Sequence, residues 1–129
     1  MNISGSVVVI TGGASGIGKA VAKRMIQEKA KQVFIADIDK ENLFSTASEI
    51  GATAVECDVT NEESVNKLVS EVERSCGNID IFMSNAGIYI EGNENTKDSD
   101  WTLNWSIHVM AHVFAARAVL PIMIRKNKG

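Results

Sequence analysis

Short apolar runs alternate along this chain with stretches of helical period. Val7-Val8-Val9-Ile10 is a continuous β-branched run, too short for a helix and apolar on both faces, as a strand inside a parallel sheet must be. Val33-Phe34-Ile35-Ala36 and Ile79-Asp80-Ile81-Phe82-Met83 read the same way, and Thr53 to Cys57 is a weaker strand candidate. Helices with identifiable ends lie between them. Gly16 to Lys29 puts Ile17, Val21 and Met25 on one stripe. Asp39 is placed to cap a helix carrying Leu43, Ala47 and Ile50, which Gly51 stops. Thr60-Asn61-Glu62-Glu63 has the form of a capping box, hydroxyl and carboxylate satisfying free amides reciprocally. It opens a helix with Val65, Leu68, Val69 and Val72 on one face, closed by Arg74 and Gly77. The order β-α-β-α-β-α-β-α, with right-handed crossovers, predicts an α/β fold. Its parallel sheet is doubly wound, with helices on both faces, in one domain over residues 1–129.

The last helix, roughly Asp100 to Arg125, departs from the amphipathic rule because it is apolar nearly all round from Val109 to Ile124. Four strands and three other helices cover only one side of it. The pattern therefore predicts either further chain or a second subunit against the remainder. Ile107 to Ile124 holds 14 apolar residues in 18, which also suits a membrane span. His108, His112, Arg117 and Pro121 are costly in lipid, so a buried helix and no membrane is the expectation.

Composition narrows the function classes. One proline, ten glycines and 45% hydrophobic residues do not suit disorder or a collagen-like chain. The net charge is −3, and the only basic cluster (Arg125, Lys126, Lys128) lies at the end of the sequence, which argues against a nucleic-acid partner. Cys57 and Cys76 form no C-x-x-C, and Met1 to Ser6 is too short and polar for a secretory signal. A reduced, cytoplasmic setting with structural thiols is expected.

The chemistry concentrates after the first strand. Thr11-Gly12-Gly13-Ala14-Ser15-Gly16-Ile17-Gly18 leaves that strand and opens the first helix. Glycine at 12 and 16 allows a tight turn and close approach to a pyrophosphate. Gly18 lets the helix pack on the sheet, and the helix start offers free amides at its positive end. Asp37 stands 19 residues after Gly18 at the end of the second strand, near the interval at which an acid accepts hydrogen bonds from an adenosine ribose. A ligand-free turn and a solvated, helix-capping Asp37 are the plainer alternatives. Gly13 to Ala20 also nearly matches a phosphate loop of nucleoside triphosphatases, but Ala20 has no hydroxyl to hold Mg²⁺.

These residues resemble the short-chain dehydrogenase/reductase (SDR) family over essentially the whole chain. Thr11-Gly12-x-x-x-Gly16-Ile17-Gly18 is similar to its cofactor fingerprint. Cys57-Asp58-Val59 resembles its adenine-contacting Asp-Val, and Ser84-Asn85-Ala86-Gly87 its Asn-Ala-Gly motif near the nicotinamide-side ribose. Trp101, Ile107-His108-Val109 and Arg117 to Pro121 are similar to its fifth helix. The resemblance implies a Rossmann-type sheet of order 3-2-1-4 with a bare fourth edge. It also implies hydride transfer between a secondary alcohol or ketone and a nicotinamide cofactor. Gly12, Ser15, Gly16, Ile17, Gly18, Asp37, Ile38, Asp58, Val59, Asn85, Ala86 and Gly87 would bind that cofactor. NAD is favoured over NADP, because Asp37 repels a 2′-phosphate, while Ser15, Ile38 and Asp39 supply no cation to hold one.

Two departures from the family pattern matter. Family catalysis rests on Asn, Ser, Tyr and Lys, but the single tyrosine here is Tyr89, with Asn93 four residues on, so no Tyr-x-x-x-Lys exists. The chain thus resembles the family's first half. It reads either as part of an oxidoreductase acting on a small-molecule substrate or as a nucleotide-binding or assembly module without catalysis. His108 stands where the family's catalytic Asn belongs. It reads equally as a replacement in a proton relay or as a polar residue bonding the bend of its helix. His108 and His112 have zinc-like spacing but no Glu between them and no third ligand, so no metal is expected. Association into a homo-oligomer is expected through helix 100–125 or the open fourth strand.

Overall fold

The apolar runs become four strands in the computed structural model, which describes residues 2–129. They are β1 (Val7–Thr11), β2 (Gln32–Asp37), β3 (Thr53–Glu56) and β4 (Ile81–Met83), all parallel and in the order β3-β2-β1-β4. Every residue of β1 is buried. Its side chains alternate between two cores, so a strand with covered faces needs apolar residues at every position. Val7 and Val9 join Val65, Leu68 and Val72 on one side. Val8 and Ile10 join Ala22, Leu43 and Ala47 on the other.

The helices that supply these partners are α1 (Gly16–Gln27), α2 (Lys40–Ile50), α3 (Glu62–Cys76), α4 (Asp98–Trp105) and α5 (Ala111–Lys126). α1 and α2 cover the second face, α3 and α5 the first. Asp39 caps α2 through the Asn42 amide, and Gly51 and Gly77 end α2 and α3 in the left-handed conformation that glycine adopts without strain.

Three local readings change. The N-cap of α3 is Asn61, whose side chain accepts from the Ser64 amide, and not Thr60. Both the amide and the hydroxyl of Thr60 are already engaged by Asp58 Oδ1, at 2.9 and 2.7 Å, while Glu63 pairs outward with Lys67. Ile17 lies on the apolar stripe of α1 yet is 71% exposed, because it borders the open cleft at the start of the helix and not the core. The fourth strand is shorter than its apolar run. Ile79 and Asp80 precede it, both buried, and the Asp80 amide donates to the Val7 carbonyl of β1 at 2.9 Å.

α4 and α5 are joined by a π-helical turn, Ser106–Met110, and run on as one helix of 29 residues, Asp98–Lys126. It is long and apolar enough to cross a membrane by length and composition. One side of it packs into the fold. Ile107, Ala111, Ala115, Val119 and Ile122 are buried, α5 packs along α3, and Arg117–Glu62 (3.1 Å) and Arg125–Glu73 tie the two helices together. Its far side leaves Trp101, Trp105, Leu120 and Ile124 exposed, so the chain covers one side only, as the pattern requires.

Asp80 pins the floor of the sheet. Its Oδ2 accepts from the Val7 amide at 2.7 Å. Its Oδ1, buried without an aligned donor, relies on the Lys128 ammonium 2.7 Å away. Burial pushes the carboxyl pKa up, but Lys128, the Val7 amide and Asn78 more than offset this and hold it below its ordinary 3.8. A depressed acid stabilises the fold above its unfolded-state value, and that contribution is lost as pH falls through the lower folded value. Asp80→Ala is expected to cost about 2 kcal/mol at pH 7, the penalty of an orphaned buried amide, and to flatten the acid limb of stability. Urea unfolding at pH 7 and pH 3 measures both; equal loss at the two pH values contradicts the assignment.

Candidate functional site

The carboxyl ends of β1, β2, β3 and β4 open toward one side of the sheet, and the loops that follow them are bonded to each other. Thr11, the last residue of β1, accepts at its hydroxyl from the amides of Asn85 (3.0 Å) and Ala86 (3.2 Å). The Asn85 side chain donates back to the Thr11 and Gly12 carbonyls at 3.0 and 3.3 Å. Asn85 therefore staples the loop after β4 to the glycine loop after β1. This staple works only at close range: a Cβ on Gly12 would stand 2.8 Å from the Ala86 Cα, and one on Gly18 only 2.1 Å from the Gly12 carbonyl oxygen. Gly16 differs. It has φ +51° and nothing within 4 Å of its missing Cβ, so its open side faces solvent space.

α1 starts at Gly16 with Ser15 extended at its N-cap, and the Ser15 hydroxyl caps nothing. The first α1 amide to reach a carbonyl of its own turn is that of Lys19, on Ser15 O at 3.1 Å. Those of Gly16, Ile17 and Gly18 come before any helical acceptor and are free for another group. Across from them, Asp37 ends β2. Its Oδ2 accepts from the Ala14 amide and its Oδ1 from the Asp39 amide, both at 3.1 Å. Each oxygen keeps a second lone pair. Ile38 follows, 67% exposed. After β3, Asp58 is turned inward by its bonds to Thr60, beside Val59.

All twelve residues singled out as cofactor contacts line one cleft of about 500 Å³. Residue-by-residue reading missed Cys57, Thr60, Ile88, Leu103 and Ile107, which complete its wall. Leu103 and Ile107 stand four apart on the helix, but nothing in a leucine or isoleucine distinguishes a cleft wall from a core. Cys57 is a buried free thiol whose pKa burial raises, against a smaller pull from Ser64, so it sits there as an inert apolar surface.

His108 does not line the cleft. It sits in the π-helical turn, and its Nε2 lies 2.9 Å from the Ile88 carbonyl and 3.4 Å from the Ile88 amide. One ring nitrogen cannot donate and accept at once, so the shorter contact assigns Nε2–H as donor to Ile88 O. The imidazole thus clamps the loop behind the cleft wall instead of bonding the bend of its own helix. A side chain on Gly87 would collide with it at 2.9 Å. Among the described residues, His108 and His112 gather with no third metal-ligating side chain.

The family model for short chain dehydrogenases matches residues 6–129. The chain belongs to that family. Among its relatives, meso-2,3-butanediol dehydrogenase of Serratia marcescens is 35% identical over 133 aligned positions, covering 100% of this chain and 52% of that protein. Sorbitol dehydrogenase of Cereibacter sphaeroides is 38% identical over 133 positions, covering 100% of this chain and 51% of that protein. The solved structure of an SDR from Burkholderia phymatum in complex with NAD superposes with a TM-score of 0.95 at 28% identity, over 100% of this chain and 48% of that one. The chain spans about half the length of these relatives. Its four-stranded parallel sheet of order β3-β2-β1-β4 is the Rossmann-type sheet of that family.

Proposed function

We propose that this chain forms the dinucleotide-binding part of an NAD-dependent oxidoreductase that interconverts a secondary alcohol and a ketone. The observation that carries this reading is the convergence of the free α1 amides, the open side of Gly16 and the Asp37 carboxylate on a single cleft. That arrangement suits a dinucleotide: the amides receive the diphosphate at the positive end of α1, and Asp37 receives the adenosine ribose hydroxyls. Asp58, Val59 and Ile38 would flank the adenine, and Asn85, Ala86 and Gly87 the second ribose. Nicotinamide, when bound, supplies the hydride chemistry. This chain's own residues bind and orient it. NAD is favoured over NADP because a 2′-phosphate would meet the Asp37 carboxylate.

The lone Tyr89, 87% exposed and without a following Tyr-x-x-x-Lys pattern, favours a second reading for these 129 residues by themselves. In that reading they bind nucleotide without turning substrate over. His108 acts in both as a positioning group. We place the protein in the cytoplasm, in keeping with its two free thiols. We further propose a homo-oligomer formed through helix 100–125 or the edge of β4, supported by the exposed Trp101, Trp105, Leu120 and Ile124. A strictly monomeric species by light scattering removes that part.

Calorimetry with NAD, accompanied by a thermal-shift measurement, tests the central reading. Saturable heat and a raised melting temperature are expected. Folded protein giving neither would leave family membership intact and remove the cofactor assignment.

A further inference from the structure

The rim of the cleft at Asp37 holds a second charged device outside the cleft lining. Asp37 and Glu56 are register partners on β2 and β3. Partners on adjacent strands share a face, and strands lie about 4.8 Å apart, so the two carboxylates are neighbours. The face is the one that carries Ile35 and Ala54 into the core under α1 and α2. Lys40, the first residue of α2, stands over the same face, with its ammonium 3.1 Å from Glu56 Oε2. Lys40 is also the first cation in the chain after Asp37. Around the expected position of the adenosine ribose, three acids (Asp37, Asp39 and Glu56) thus lie close in chain or register to one lysine, which Glu56 already pairs.

We propose that Glu56 is a second cofactor-specificity residue, which holds Lys40 away from a 2′-phosphate and so reinforces the discrimination begun by Asp37. The inference rests on the reading that the adenosine ribose lies at Asp37. A ribose 2′-hydroxyl is neutral and indifferent to Lys40. A 2′-phosphate carries close to two negative charges, and Lys40 is the nearest cation to Asp37 along the following chain. The pair is surface-exposed, its side chains 68% and 55% accessible, so its effect is modest and screened by salt.

Competition of NAD and NADP against NADH fluorescence tests this in the intact chain. Glu56→Gln is expected to raise NADP affinity roughly two- to five-fold at low salt, with NAD affinity unchanged. Adding Lys40→Ala to Glu56→Gln is expected to abolish that gain, and 0.5 M salt to erase it. Repeating the pair of variants on Asp37→Ala keeps the comparison measurable if wild-type NADP binding is too weak. Unchanged NADP affinity in Glu56→Gln, with NAD binding normal, overturns the proposal. So does a gain that survives loss of Lys40, which would be simple removal of a negative charge. Wild-type protein that binds neither dinucleotide overturns the reading on which the proposal rests.

Discussion

Gly18→Ala is expected to lose dinucleotide binding altogether and about 3 kcal/mol of stability. The added methyl would lie 2.1 Å from the Gly12 carbonyl oxygen and 2.8 Å from Asn85 Nδ2. The first of these is backbone in a loop that Asn85 and Thr11 hold in place, so no flexible side-chain end is available to yield. Overpacking of this kind costs typically 1–3 kcal/mol, and breaking the Asn85 staple adds to it. Gly16→Ala is the informative contrast. Its methyl meets nothing within 4 Å, and the cost is the roughly 1–2 kcal/mol of a left-handed backbone. Melting curves paired with NADH titration separate the two effects. A Gly18→Ala protein as stable as wild type would show that the loop relaxes freely and that the close approach is not required.

Asp37→Ala is expected to weaken NADH binding about 10- to 100-fold and to lower the melting temperature modestly, because the buried Ala14 amide loses its acceptor. A hydrogen bond to a charged group is worth roughly 1.5–3 kcal/mol, and a tenfold change in affinity is about 1.4 kcal/mol. The carboxylate also accepts from Ala14 and Asp39, so part of the loss would come through the glycine loop. Asp37→Asn keeps an acceptor oxygen for one of those amides and removes the charge and the second acceptor. It is expected to fall between wild type and alanine for NADH and to bind NADP relatively better. Fluorescence titration of the three proteins decides the matter: unchanged affinity in Asp37→Ala excludes a ribose contact at this position.

The exposed side of the Asp98–Lys126 helix is the observation behind the proposed oligomer. The sheet can bury only one side of a helix that is apolar on nearly all sides. Trp101 and Trp105 are four residues apart and lie on the exposed side. A second subunit placed there would shelter them, as the proposed assembly requires.

Among the cleft residues, Asp58, Val59 and Asn85 to Gly87 came from the family resemblance. Residue pattern alone determined the strands, the two-sided burial of β1 and β2, the caps at Asp39, Gly51 and Gly77, and the glycine-loop and Asp37 parts of the cleft. These are local or periodic signals. A β-branched run, a glycine that must turn and a carboxylate at a strand end declare themselves without knowledge of their neighbours. Tertiary structure decided what depends on partners distant in the chain. Thr60 loses the capping role because Asp58 claims it, while Ile17 is exposed because it borders the open cleft. Asn85 turns inward to the carbonyls of Thr11 and Gly12, some 73 positions away. His108 clamps Ile88 from a π-helical turn, and Lys40 and Lys128 find Glu56 and Asp80. The physical reason is common to all of them. Polar side chains satisfy whichever group the fold brings within about 3 Å, and nothing in a lone asparagine, histidine or lysine specifies which group that will be.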